Sequence, residues 1–300
     1  MTDQLDPLAQ FSGALVARAQ AAANTVVAIR LAHERHLTGL VWRSDVVIAS
    51  EQSLPDKTEF ELVAAGGAVV TAMIAGRDPS TNIAMLRLAT PLAEPAMRPA
   101  EAQVGALALA IGADGAGGTS ARLGLVNLAA PEWHSSRGGL IDRRIVLDLS
   151  LARREEGGPV FDADGGLLGL STFGPRGQVI VIPAATIARI VPLLAKDGHI
   201  ARGWLGVALQ AVAVPDALRQ NAEQSSGLMV MSVIEGGPAA LAGIVAGDII
   251  LSVDGTSTQR WRKVARLFGA DSIGRKAQIR LIRSGQVVTV QTTITERRAA

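Results

Sequence analysis

The chain has no cysteine and no tyrosine, aromatic residues make up only 3% of its 300 residues, and histidine occurs four times. Without cysteine there is no disulfide framework, no thiolate metal site and no cysteine nucleophile. The histidines form no ligand pattern: His33 and His36 lie in the polar segment AHERHLTG, while His134 and His199 stand alone. Each therefore reads as a solvated loop residue, and no metal or cofactor is expected. No window reaches the roughly 18 consecutive apolar residues that a membrane span requires. The opening stretch, MTDQLDPLAQFSGALVARAQAAA, has early acidic residues and an interrupted apolar run. It lacks the basic start and continuous apolar segment of a signal peptide, which predicts a cytoplasmic chain without membrane partners.

What is present points to a packed globular protein. The composition is 48% hydrophobic with 32 glycines, so the core must be filled by Ala, Val, Leu and Ile between many tight turns. The length suggests about two domains. The formal charge of +2 is unevenly spread: residues 1–200 carry 17 basic and 20 acidic side chains, residues 201–300 carry 12 and 7. Arg260, Arg262, Lys263 and Arg266 cluster in the basic part, either as a solvated helix face or as a preference for an acidic ligand. No nucleic-acid motif accompanies them, and nucleic acid is not an expected partner.

Apolar positions Leu8, Phe11, Leu15 and Ala19 recur at helical spacing, which predicts an N-terminal helix within residues 1–23. Short aliphatic runs follow up to about residue 183: DVVIAS, AVVTAMIA, IAMLRLA, GALALAIG, RIVLDLS and GLLGLST. Such strands without intervening helices predict a β-barrel or sandwich. The segment AATIARIVPLLAKD returns to helical spacing and should stop at Gly198. A second alternation then runs from RGWLGVALQAV to QVVTVQTTI, a small mixed domain in which RSGQ reads as a hairpin turn. The expected division is 1–23, 24–199 and 200–300.

Several spaced segments resemble the HtrA (Deg) family, a trypsin-like double β-barrel followed by a PDZ domain. TGLVWRSDVVIASEQSL is similar to the family's histidine segment, DPSTNIAML to its aspartate segment, and ARREEGGPVFDADGGLLG to its nucleophile segment. VGALALAIGADG and IPAATIARIVPLLAKDGHIARGWLGV match later segments, and GGPAALAGIVAGDIILSVDG matches the PDZ pattern with Gly243, Gly247, Asp248 and Gly255 in place. The resemblance implies a mainly β fold of two six-stranded barrels followed by a small α+β PDZ domain.

By the same resemblance, Gln52 stands on the family's histidine, Asn82 on its aspartate and Glu156 on its serine. Arg154 stands where the family has a glycine, two residues before the serine. A serine nucleophile needs a base and a group that orients that base; the amides of Gln52 and Asn82 supply neither, and Glu156 puts an anion beside the place where the oxyanion would form. Ser50 and Ser53 flank Gln52, and Ser171 and Thr172 follow the nucleophile strand, without a His or Lys placed to activate them. Arg153 and Arg154 are expected to pair with Glu155 and Glu156 in an exposed turn. Pairing of Glu51 with Glu156 as two catalytic carboxylates has no support from nearby sugar-stacking aromatics.

The resulting expectation is a catalytically inactive scaffold or adaptor with no catalytic residues, the rival being an active serine endopeptidase of protein quality control. The PDZ domain should capture peptide or protein C termini by strand addition. Trp204, Leu205, Gly206, Val207 and Leu209 would form the carboxylate loop and edge. Trp261, Val264 and Phe268 would form the facing helix, with Trp261 equally suited to the core. Homotrimer formation, common in the family, would engage Phe11 and Leu15.

Overall fold

The computed structural model describes residues 6–296, with the side chains of residues 260–263 outside that description. The chain divides into two compact units: the first holds residues up to Trp133 and Leu140–Ile200, the second His134–Gly139 together with the chain from Ala201 onward.

The first unit opens with α1, Pro7–Ala21, whose first turn is capped by Asp6 accepting from the Leu8 N–H. Proline at the first helical position suits this start, because that N–H would be unpaired in any case. α1 has no buried residue, and Phe11 is exposed.

Six strands follow: β1 (Val26–Arg30), β2 (His36–Arg43), β3 (Val46–Ser50), β4 (Glu59–Ala64), β5 (Val69–Asp78) and β6 (Ile83–Leu88). They close into a barrel of order β1-β2-β3-β6-β5-β4. A second closed barrel is built from β7 (Leu107–Ala113), β8 (Thr119–Ala130), β9 (Arg144–Asp148), β10 (Pro159–Asp162), β11 (Leu167–Phe173) and β12 (Val179–Pro183), in the order β9-β12-β11-β10-β7-β8. The two six-stranded barrels implied by the family resemblance are thus present, and the short aliphatic runs, which predicted a β-barrel or sandwich, supply their strands.

The strands read as unbroken apolar runs because both of their faces are covered. In β1, Val27 and Ile29 fill the first barrel with Val41, Leu62 and Leu86. Ala28, between them, joins a different cluster containing Leu40, Ile48, Ile111, Leu170 and Ile187. Successive side chains of a strand point to opposite faces, so each face has its own core. The second cluster includes α2, Ala184–Asp197, through Ile187, Ile190, Val191 and Leu194. Full burial of each such side chain is worth about 1.5–3 kcal/mol. α2 stops at Gly198, whose φ of 73° is the left-handed cap expected there.

The second unit contains a sheet of order β13-β14-β15-β16-β17, formed by Val207–Ala213, Ser226–Val233, Ile249–Val253, Lys276–Arg283 and Gln286–Thr293. Short helices α3 (Arg219–Ala222), α4 (Pro238–Leu241) and α5 (Trp261–Arg266) complete this α+β unit. β16 and β17 pair from Arg283–Gln286 outward, and both turn residues, Ser284 and Gly285, have positive φ. That is the mirror-image turn whose twist matches a hairpin, as RSGQ predicts. Asp248, 2% exposed, accepts two hydrogen bonds from Arg283 and one from the Val245 N–H.

Two histidines differ from expectation. His36 and His134 are half-buried rather than solvated, and His36 Nε2 lies 3.0 Å from the Ala113 carbonyl.

Candidate functional site

In the first unit, four local segments bring polar side chains to one point. β3 ends at Ser50 and runs into a tight turn, Glu51–Ser53. The turn between β5 and β6 carries Asn82 in the left-handed region, φ 61°, which asparagine tolerates better than most residues. A third segment is the turn Arg153–Glu155, which leads into Glu156 and the two glycines. β11 supplies Ser171 and Thr172.

Gly157 explains why the glycines are retained. Its φ is +92°, and a Cβ there would lie 2.2 Å from the Thr38 carbonyl oxygen. The turn delivers Glu156 inward only because the chain has no side chain at this point.

Glu156 is the hub. Its Oε1 accepts from Gln52 Nε2 at 2.7 Å, Thr172 Oγ1 at 2.7 Å, Ser50 Oγ at 2.9 Å and the Phe173 N–H at 3.4 Å. Its Oε2 accepts from Ser53 Oγ at 2.5 Å. Asn82 joins through its Oδ1, which accepts from the Gln52 N–H at 2.7 Å, and its Nδ2, which donates to Thr172 Oγ1 at 2.8 Å. Gln52, Asn82 and Glu156 therefore meet in one hydrogen-bonded cluster although far apart in sequence. Burial pushes the Glu156 carboxyl up, but hydrogen bonds from Ser53, Thr172, Gln52 and Ser50 outweigh it and hold the group below the ordinary glutamate range. It is an anion at neutral pH with its lone pairs occupied.

The exposed ion-paired turn expected at residues 153–156 is not formed. Glu155 and Glu156 are 1% and 2% exposed. Glu155 pairs with Arg122 at 3.1 Å and accepts from Ser120 Oγ and the Ala152 N–H. Desolvation raises its pKa, and these donors more than reverse the effect. Glu51 lies 3.8 Å from Arg77, a partner other than Glu156. The backbone donors beside the cluster are also engaged: the N–H groups of Glu156, Gly157 and Gly158 donate to the carbonyls of Arg153, Ser171 and Glu155. A cleft of about 570 Å³ opens onto the cluster, lined by residues including His36, Gln52, Ser53, Arg153, Arg154 and Glu156.

The gathering of hydroxyls on Glu156 was missed in the sequence. A Ser-Thr pair at 0% and 1% exposure inside the apolar strand LLGLSTF is the signal that could have found it, since buried hydroxyls need a partner.

In the second unit, Trp204, Leu205, Gly206, Val207, Leu209, Val264 and Phe268 line one cavity of about 230 Å³. Seven of the eight residues expected at a peptide groove are thus neighbours. The side chain of the eighth, Trp261, lies outside the described residues, as do those of Arg260, Arg262 and Lys263. Gly206 has φ 77°, which turns the chain between Trp204 and β13. The carbonyls of Leu205 and Gly206 accept from Ala239 and Ile234, while the N–H groups of Leu205 and Gly206 have no backbone acceptor among the described residues. Leu228, Ile250 and Ala265 add apolar lining, and Ser136 and Arg137 complete it. The last two come from the His134–Gly139 segment, held by Arg202 donating to the Gly138 carbonyl at 3.0 Å. No sequence pattern marked that segment. Among the described residues no group of three or more His, Cys, Asp or Glu side chains is placed to hold a metal.

Comparison with known proteins agrees with both units. The family model of the trypsin-like peptidase domain matches residues 37–170 and that of the PDZ domain residues 203–294. A protein of Brucella suis biovar 1 (strain 1330), named "Probable periplasmic serine endoprotease DegP-like", is 30% identical over 280 residues, covering 88% of this chain and 54% of the relative. A protein of the same name from Pseudomonas putida (strain W619) is 28% identical over 272 residues, 86% of this chain and 55% of the relative. The chain spans about half the length of these curated relatives. Among solved structures, the HtrA-type protease AlgW with decapeptide superposes with a TM-score of 0.68 at 21% identity, over 95% of this chain and 99% of that one. The serine endoprotease from Yersinia pestis gives 0.66 at 24%, over 95% and 98%. At these identities the structural likeness speaks to the fold.

The chain belongs to the HtrA/Deg-type family, with a trypsin-like peptidase domain and a PDZ domain. Two expectations are corrected. The expectation of a non-enzyme, drawn from the residue types at positions 52, 82 and 156, is overturned by relatives named serine endoproteases, which point to a protease. The sequence places no His or Lys to activate Ser50, Ser53, Ser171 or Thr172, and does not show that Ser53 Oγ lies against the Glu156 carboxylate. The cytoplasmic expectation is overturned by relatives named periplasmic. Among the described residues no helix is long and apolar enough to cross a membrane.

Proposed function

We propose that the chain is an HtrA-type endopeptidase of periplasmic protein quality control that captures the C termini of its polypeptide clients in the PDZ unit. The observation that carries the binding half is the apolar cavity beside Leu205 and Gly206. Two backbone N–H groups without backbone acceptors among the described residues border an apolar pocket, an arrangement suited to a terminal carboxylate followed by an apolar side chain. The edge of β13 offers ladder positions for the rest of the peptide.

For the hydrolytic half, positions 52, 82 and 156 supply no imidazole, so the hydroxyl that faces a carboxylate is the group to consider. Ser53 Oγ donates to Glu156 Oε2 and lines the cleft. In this reading Ser53 Oγ attacks a peptide carbonyl as its proton passes to Glu156, and the same proton goes to the amine as the C–N bond breaks. A water that gives its proton to Glu156 then hydrolyses the Ser53 ester, the proton returning to Ser53 Oγ. A carboxylate held below its ordinary pKa is a weak base at neutral pH, and a well-matched base contributes about 10²–10⁴-fold to the rate. Turnover should therefore be slow. The exposed apolar residues Leu8, Phe11 and Val16 of α1 support self-association, with a trimer as the proposed state.

The test has two arms on the full chain. Amidating the C terminus of an apolar peptide removes the acceptor charge and should weaken binding by about 1.5–3 kcal/mol; equal binding of the acid and the amide sinks the groove assignment. Hydrolysis of an unfolded casein-type substrate should be slow and lost in Ser53→Ala. Absence of turnover in the unaltered chain, or full turnover in Ser53→Ala, sinks the assignment of the hydrolytic group.

A further inference from the structure

The cleft that ends at Glu156 is rimmed by three arginines whose charges are not used by the fold. Arg35, Arg153 and Arg154 are exposed and line it. None of the three forms an ion pair among the described residues, and the one hydrogen bond of the Arg35 guanidinium among them is at 3.5 Å, from Nε to the Ala32 carbonyl. The acids adjacent in sequence to Arg153 and Arg154 are committed elsewhere: Glu155 to Arg122 and Ser120, Glu156 to three hydroxyls, an amide and a backbone N–H. Glu34 is the one exposed acid on the lining.

Guanidinium groups are weakly hydrated forks that match carboxylates in geometry, and three of them around one cleft favour several carboxylates spaced along a chain. We infer that this cleft takes an acidic segment of an extended polypeptide, whose Asp and Glu side chains meet Arg35, Arg153 and Arg154. The occupant is a peptide rather than a nucleic acid for two reasons. The cleft lining contains no Phe, Tyr or Trp on which a base would stack, and its one ring, His36, is half-buried and held at the Ala113 carbonyl. Residues 1–200 also carry more acidic than basic side chains, 20 against 17, so a long polyanion leaving the cleft meets net repulsion.

This goes beyond the proposed function in naming the chemistry of the client, and rests on it in taking the client to be a polypeptide. The experiment measures fluorescence anisotropy of the full chain with three labelled peptides of equal length, acetylated at the N terminus and amidated at the C terminus to avoid the PDZ carboxylate site. One is Glu-rich, one has Gln at those positions and one has Lys. The Glu-rich peptide should bind about tenfold tighter than the Gln peptide at about 50 mM salt, with the advantage largely lost at about 0.5 M salt. The Lys peptide should bind weakest.

Arg153→Gln/Arg154→Gln should remove that advantage while leaving the binding of a free-acid apolar peptide unchanged. Because both side chains are exposed, the double variant should unfold at the same urea concentration as the parent. Equal binding of Glu and Gln peptides overturns the inference. So does an advantage that survives the double variant, which would move the acidic site to the basic part of the second unit. Tighter binding of an oligodeoxynucleotide of equal charge overturns the choice of a peptide. Loss of the free-acid peptide site with the acidic advantage intact counts against the PDZ reading alone.

Discussion

Replacing Glu156 by glutamine removes one negative charge from the centre of the polar cluster while keeping its shape. In the parent, Oε1 accepts from Ser50, Gln52, Thr172 and the Phe173 N–H, and Oε2 from Ser53. A glutamine carbonyl can hold the Oε1 set, and Ser53 can rotate to accept from the new NH₂, so no donor need be orphaned. What is lost is charge assistance: hydrogen bonds to a charged group contribute about 1.5–3 kcal/mol against about 0.5–1.5 for neutral ones. The five bonds share one carboxylate and are not additive, and the variant no longer buries a charge. A net loss of about 1–3 kcal/mol at pH 7 is expected. The pH dependence fixes the sign. The Glu156 pKa is lowered in the folded chain, so its stabilisation is complete above the unfolded glutamate value of about 4.3 and is lost as pH falls through the folded value. Urea denaturation followed by tryptophan fluorescence at a series of pH values should therefore show a shallower acid limb for Glu156→Gln, with the two chains converging at the acid end. Glu155, Asp142 and Asp114, whose pKa values are also lowered, keep some slope in the variant. Equal stability at pH 7 together with an unchanged acid limb would refute the picture of Glu156 as a buried anion held by its donors.

Two further variants test the elements that support each site. Gly157→Ala forces a side chain into left-handed backbone at φ +92° and against the Thr38 carbonyl; it should cost at least about 3 kcal/mol in urea denaturation, the backbone penalty alone being about 1–2, and a loss below about 1 kcal/mol would show that the turn relaxes freely. Arg283→Ala leaves the buried Asp248 carboxylate with the Val245 N–H as its remaining donor; calorimetry should show a loss of about 2–3 kcal/mol in the second unit, and Arg283→Lys, which keeps the charge but not the fork, should fall between. An unchanged transition in Arg283→Ala would mean that solvent replaces the guanidinium without cost.

Much of the architecture was legible because it depends on local periodicity. The strands of both barrels appear as short β-branched and aliphatic runs, α2 ends where Gly198 allows a left-handed cap, and Ser284-Gly285 supplies the turn that β16 and β17 need. The glycines of the GGP segment were legible as a motif, though the reason, the approach of Gly157 to Thr38, is a contact between distant segments. The two glutamates before them were misread for the same reason. Adjacent Arg153, Arg154, Glu155 and Glu156 look like a self-neutralising surface turn when only neighbours in sequence are considered. The partners that decide their fate lie elsewhere: Ser120 and Arg122 for Glu155, Ser50, Gln52, Ser53 and Thr172 for Glu156. The segment His134–Gly139 was unreadable likewise, since its anchor at Arg202 is 64 residues away. A buried carboxylate survives only if nearly every lone pair is met by a donor. Its trace in sequence is therefore the set of hydroxyls and amides that the fold must bring to it, not the acid itself. Ser171-Thr172 within an apolar strand, and Ser50-Glu51-Gln52-Ser53 at the end of one, are such donors. Once both carboxylates turn inward, the two arginines that were to neutralise them are left facing solvent. The burial of Glu155 and Glu156 and the unpaired rim of the cleft are one consequence of the same turn.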